Sequence, residues 1–158
     1  MKRLALAIVV AMAALAPAHA HAASTFADGT VATFAQNAYK SMYTLDSANV
    51  DQQLAEARLF FDTDGKHESY VQSLKASGNY NVVRDMGLSM SVQQGNAKAR
   101  QIGNGKWEVA FPAEMAFVGP KTLRQCLSVT MNLNETETGL SVVNAISTDG
   151  ECLEAIKD

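Results

Sequence analysis

Histidine is scarce in this chain of 158 residues: there are three, and with His19 and His21 near the N-terminus, only His67 lies in the body of the sequence. A zinc site needs several His, Cys or carboxylate ligands at set spacing, and no such cluster is present. A Ser-His-Asp triad would have to use His67, yet there is no Gly-x-Ser-x-Gly to carry the nucleophile. Cysteine is scarce too. The two, Cys126 and Cys152, form no Cys-x-x-Cys, and almost no histidine is available to activate a thiol. Cations are outnumbered, 13 Lys and Arg against 16 Asp and Glu. That balance gives no electrostatic reason to hold nucleic acid or an anionic membrane. Nothing beyond the N-terminus is apolar enough to span a bilayer. There are no repeats, no low-complexity tract and no linker rich in Pro or Gly. The sequence therefore offers no catalytic residue, no metal ligand and no cofactor site. It predicts a non-enzymatic protein with one core.

The N-terminus carries the strongest pattern. Met1-Lys2-Arg3 is a short positive segment, and Leu4 to Ala16 is apolar and uncharged. Pro17 and "AHAHAA" follow. Ala18-His19-Ala20 and Ala20-His21-Ala22 both fit the small-x-small rule for signal peptidase. The apolar run, about 13 residues, is short of the roughly 20 needed to cross a bilayer. Residues 1–22 read as a cleavable signal, cut after Ala20 or Ala22, and residues 23–158 as a single exported domain. The alternative is an uncleaved anchor helix. No Cys follows either cut, which argues against lipidation. Cleavage removes Lys2 and Arg3, leaving 11 basic residues against 16 acidic ones, a net charge of about −5. In an oxidising compartment, Cys126 and Cys152 predict a disulfide. Closing a loop of that length is worth roughly 3 kcal/mol in the chain-entropy model.

The exported part divides into a helical first half and a strand-rich second half. Val31, Phe34, Ala38, Met42 and Leu45 recur at helical spacing, with Asp28 or Thr30 to cap the start. Val50, Leu54, Ala57 and Phe61 form a second stripe, capped by Asp46 or Ser47. The stretch "FDTDGKHESY", Phe61 to Tyr70, begins like a calcium loop. Counting from Asp62, however, puts Lys66 and His67 at the fifth and sixth positions and Ser73 at the twelfth, where an EF-hand needs a ligand, a glycine and a bidentate carboxylate. It reads as a helix start, capped by Asp62 or Asp64, for a helix from Lys66 to Ser77 that stops at Gly78. His67 is expected on its exposed side.

From Leu88 the period becomes two. Leu88, Met90 and Val92 alternate with polar residues, and Ala97, Ala99 and Ile102 suggest a second strand. Asn104-Gly105 is a strong hairpin turn. Trp107, Val109 and Phe111 continue past Pro112 to Ala113, Met115 and Phe117. The proline implies an edge position or a bulge. Leu123 to Leu133 is the longest alternating run, and Leu140 to Ile146 is the last, with Val143 buried separately. Helices followed by an antiparallel meander predict an α+β fold, the helices packed on one face of the sheet. The other face of the long strand, Arg124, Cys126, Ser128, Thr130, Asn132 and Asn134, is polar: either solvent-exposed or a surface for a partner.

"ARLFFDTDGKHESYVQSLKASGNYNVV", Ala57 to Val83, resembles the core of the IcmL/DotI family of Dot/Icm type IV secretion proteins, related to conjugative TraM. The shared features are the aromatic pair Phe60-Phe61, Thr63 with Gly65 in a shortened helix start, and the phrase from Leu74 to Asn79. "SVQQG" at Ser91 to Gly95, "GKWEVAFPAEMAF" at Gly105 to Phe117 and "LSVTMNL" at Leu127 to Leu133 extend the similarity over about Phe34 to Thr148. The resemblance implies a periplasmic domain with a cone-like, curved-sheet fold similar to nuclear transport factor two, in a secretion complex. Its partners would be other secretion-system proteins or further copies of itself. The family's domain normally follows a membrane anchor, and the cleavable signal departs from that. The expected function is a non-enzymatic periplasmic component or accessory of a type IV secretion system. The alternatives are a small-ligand-binding cone or a secreted effector. For a binding cone, Tyr39, Tyr43, Tyr70 and Asp85 are the polar groups nominated to face a pocket.

Overall fold

A computed structural model describes residues 25–153. The expected signal peptide, with Ala20 and Ala22, lies outside the described residues. The element order is α1 (Asp28–Tyr43), β1 (Leu45–Asp46), α2 (Val50–Glu56), a 3-10 turn (Ala57–Phe60), α3 (Asp64–Ala76), α4 (Asn79–Met86), then β2 (Ser89–Gln94), β3 (Lys98–Gly103), β4 (Lys106–Val118), β5 (Leu123–Thr136) and β6 (Gly139–Asp149). This is the expected α+β arrangement, helices on one face of a strongly curled antiparallel half-barrel.

Helix α1 buries Val31, Ala35, Ala38, Tyr39 and Met42 against the sheet. Phe34, expected in this stripe, is only half-buried and packs edge-on against Phe60, with ring centres 6.0 Å apart. The helix starts at Ala27 with no side-chain cap, so neither Asp28 nor Thr30 caps it; Asp28 instead sits in the first turn, favourably placed in the helix dipole. The second stripe is buried as expected at Val50, Leu54, Ala57 and Phe61, although the helix tightens to a 3-10 turn after Glu56. Asp46 caps the turn ahead of α2 rather than the helix: its Oδ1 accepts from the Ala48 amide at 2.9 Å. The α3 cap is Thr63, not Asp62 or Asp64. The Thr63 hydroxyl accepts from the Lys66 amide at 3.4 Å, and Asp62 pairs with the Lys66 ammonium at 2.8 Å.

Helix α4 has no counterpart in the sequence reading. Gly78, at φ +83°, ends α3 and immediately starts the next helix, so no linker separates the two. Tyr80 holds α4 in place. Its hydroxyl donates to the Asp51 carboxylate of α2 at 2.7 Å and accepts from Arg84 at 2.8 Å.

The strand order is β1-β2-β4-β5-β6, with β3 also paired to β4. β2 takes the stretch of β4 from Ala113 to Val118, and β3 takes Lys106 to Ala110. Pro112 falls in the break between them. Strand β4 is central in the strand order, but neither β2 nor β3 pairs with it at Pro112, so the proline sits at a local edge; the register with β5 runs unbroken through Pro112–Ser128, so the bulge reading is not met there. The Pro112 carbonyl accepts from the Gly95 amide at 2.9 Å. In a strand, N and O of one residue face the same side, so the missing N–H faces the break, where no ladder bond is lost. Val143 is also irregular. Leu133 pairs with Val142 and Asn132 with Asn144, which leaves Val143 as the extra residue of a bulge.

Strands β4 and β5 alternate as read, with Trp107, Val109 and Phe111 and Leu127, Val129 and Met131 buried on the concave face. On the convex face, a disulfide joins Cys126 of β5 to Cys152, with Cα atoms 4.7 Å apart. The tail that carries Cys152 lies close on β5: a Cβ at Gly150 would meet the Ser128 amide nitrogen at 2.4 Å. Leu153 then reaches Gly95 at the break beside Pro112.

Candidate functional site

The concave face leaves a cleft between the helices and the ends of β4, β5 and β6. Two adjoining cavities form it, of about 440 Å³ and 350 Å³, sharing Tyr43, Ser73 and Ala145. Tyrosines line it because of helix geometry. Tyr39 and Tyr43, four apart on α1, share one face, and their rings lie 4.5 Å apart. Tyr70 of α3 meets Tyr43 edge-on at 6.0 Å and stacks with Phe61 at 5.6 Å. Phe111 of β4 meets Tyr39 edge-on at 5.5 Å, which seats the row on the core.

Three of the four nominated polar residues are therefore brought together. The fourth is not: Asp85 is exposed on α4, away from the lining. The tyrosine hydroxyls differ in partner. Tyr39 Oη and Ser147 Oγ are 2.9 Å apart, and Tyr70 donates to the Met42 carbonyl. Burial pushes all three phenols above their ordinary pKa; the bond to Ser147 partly offsets this at Tyr39, and the neighbouring phenol adds to it at Tyr43 and Tyr70. They stay neutral at any physiological pH. Among the described residues no Asp or Glu lines either cavity, so the lining offers no carboxylate general base.

Lys66, Ser69, Ser73 and Ser77 line the cleft from α3, and the sequence reading did not find them. They recur at intervals of three and four, a polar stripe with the same helical period that marked the buried residues. His67 corrects an expectation. It is half-buried, not exposed, with Nε2 2.7 Å from the Leu54 carbonyl oxygen and its ring 5.7 Å from that of Phe61. The first turn of α3 packs against the 3-10 turn, so even its outer residues meet a neighbour. Among the described residues, no group of three His, Cys, Asp or Glu could hold a metal ion.

The convex face is polar, as read. Arg124 pairs with Glu114 at 2.7 Å, Arg100 with Glu108 at 2.7 Å, and Asn132 donates to Asn144 at 2.8 Å. These pairs satisfy one another across neighbouring strands.

Over residues 11–145 the sequence matches the DotI/IcmL family, described as inner-membrane complex components of type IVb secretion systems. The chain belongs to that family. Among solved structures it is similar to an IcmL-like type IV secretion system protein from Legionella pneumophila, at 21% identity and a TM-score of 0.75 over 82% of this chain and 98% of that one. The periplasmic domain of DotI is 20% identical, with a TM-score of 0.72 over 82% and 100% of the two chains. A periplasmic fragment of TraM is 19% identical, with a TM-score of 0.66 over 77% and 97%. Among curated protein sequences none matches. Family and neighbours together indicate a type IV secretion component of the kind whose relatives are periplasmic domains. Among the described residues, no helix is long and apolar enough to cross a membrane.

Proposed function

We propose that this protein is a non-enzymatic, periplasmic component or accessory of a type IV secretion system. It works by contact with other secretion-system proteins or with further copies of itself. Family membership over residues 11–145 carries this reading. The domain is released when the signal, residues 1–22, is cut after Ala20 or Ala22, and it then folds with the Cys126–Cys152 disulfide closed. The family match begins inside the apolar run Leu4 to Ala16, so an anchored form is the specific competitor.

A deletion strain carrying a translocation reporter tests the role. Translocation should fall and recover with the full-length gene, and a tagged chain should capture secretion-system proteins from cross-linked cells. Normal translocation together with no captured secretion component would sink the proposal.

A further inference from the structure

Tyr43 does more than fill space. It lies between Tyr39 and Tyr70 and lines both cavities of the cleft. Its two neighbours spend their hydroxyls on Ser147 and on the Met42 carbonyl. The Tyr43 hydroxyl makes no hydrogen bond to the described residues and is not among the buried atoms left without a partner, so it opens onto the cleft. A phenol that opens onto a cleft can donate to an acceptor that enters it.

The surroundings say what kind of acceptor. The larger cavity has an apolar floor of Met42, Phe61, Tyr70 and Val142, and hydroxyls from Thr63, Ser69 and Ser73 at its rim. Among the described residues its one charged lining residue is Lys66. The ammonium has three donors and gives one to Asp62, at 2.8 Å. Asp62 itself is not in the lining, so a ligand meets donors and a cation but no carboxylate. The volume of about 440 Å³ lies within the roughly 300–1,000 Å³ of small-molecule sites, near the lower end.

We propose that the cleft binds a small organic acid. Its ring or short acyl chain lies on Met42, Phe61 and Tyr70, and its carboxylate accepts from the Tyr43 hydroxyl on the side of Lys66. A cationic ligand of the same shape meets the Lys66 ammonium, and the carboxylate beside it, Asp62, is already paired with Lys66 and lies outside the lining. A neutral amide keeps the hydrogen bond and loses the charge attraction. This binding is separate from the role in secretion and stands or falls independently of the translocation test.

The probe is phenylacetate, titrated into the processed, purified protein and followed by amide chemical shifts. Phenylacetamide and phenethylamine are the comparison ligands. Phenylacetate should saturate, with the shifts centred on Tyr43, Ser73 and Ala145. Tyr43→Phe keeps the ring and removes only the hydroxyl, and should weaken binding about tenfold, the scale of one hydrogen bond to a charged group. Lys66→Gln should weaken it by a similar factor. Phenylacetamide should bind less tightly than phenylacetate, and phenethylamine should not saturate. Thermal melts confirm that each variant is folded; if Tyr43→Phe is not, Lys66→Gln carries the test. Absence of saturable phenylacetate binding overturns the proposal. So does equal affinity in a folded variant, or phenethylamine binding as tightly as phenylacetate.

Discussion

The two faces of the curled sheet are built from the same strands and do different things. The concave face is covered by α1 and carries Trp107, Val109 and Met131, all essentially out of solvent. The cleft beside it gathers neutral phenols and hydroxyls around Lys66. The convex face carries the charges and amides, tied in cross-strand pairs such as Arg124–Glu114. One covalent link, Cys126–Cys152, fastens the C-terminal tail there. Stability should therefore reside on the concave side and at that link. The rest of the convex surface should tolerate change, because its pairs are solvent-exposed.

Substitutions can break this contrast. Trp107 is 2% exposed, and its Nε1 donates to Glu135 at 2.9 Å. Trp107→Ala should cost about 4 kcal/mol in chemical denaturation, through lost burial and the cavity left behind. The next largest effect belongs to the convex side. Cys126→Ser with Cys152→Ser opens a loop spanning a sequence separation of 26 and should cost roughly 3 kcal/mol. The same melts run with a reducing agent should move the parent protein and leave the double variant unmoved. Tyr70→Phe removes the donor to the Met42 carbonyl at a buried position and should cost about 1 kcal/mol. Arg124→Ala should cost less than about 0.5 kcal/mol, because the Arg124 side chain is 66% exposed and solvent screens the pair. If Arg124→Ala destabilised as much as Trp107→Ala, the division between the faces would be wrong.

The sheet was legible because period-two alternation leaves little freedom: a slip of one residue would turn Leu127, Val129 and Met131 outward. Even the bulge at Val143 left a trace, as an apolar residue out of phase. Helix caps were less legible. Asp62, Thr63 and Asp64 are all good capping residues, and only the backbone shows that Thr63 holds the cap position. Helix α4 was missed because Gly78 reads as a stop, whereas its left-handed backbone turns the chain directly into the next helix. That omission explains Asp85: with no helix assigned there, nothing fixed its direction. The cleft was half legible. Tyr39 and Tyr43 share a helix face by spacing alone, but placing Lys66 and Ser73 opposite them needs the packing of α3 against β6, which no local pattern encodes.

The central claim, an exported domain released from its signal and oxidised, is tested most directly by intact mass. The protein is recovered from fractionated producing cells and alkylated with and without prior reduction. The account predicts a soluble periplasmic chain beginning at His21 or Ala23, with both cysteines blocked only after reduction. A chain retaining residues 1–22 in the membrane fraction, or cysteines alkylated without reduction, would contradict it.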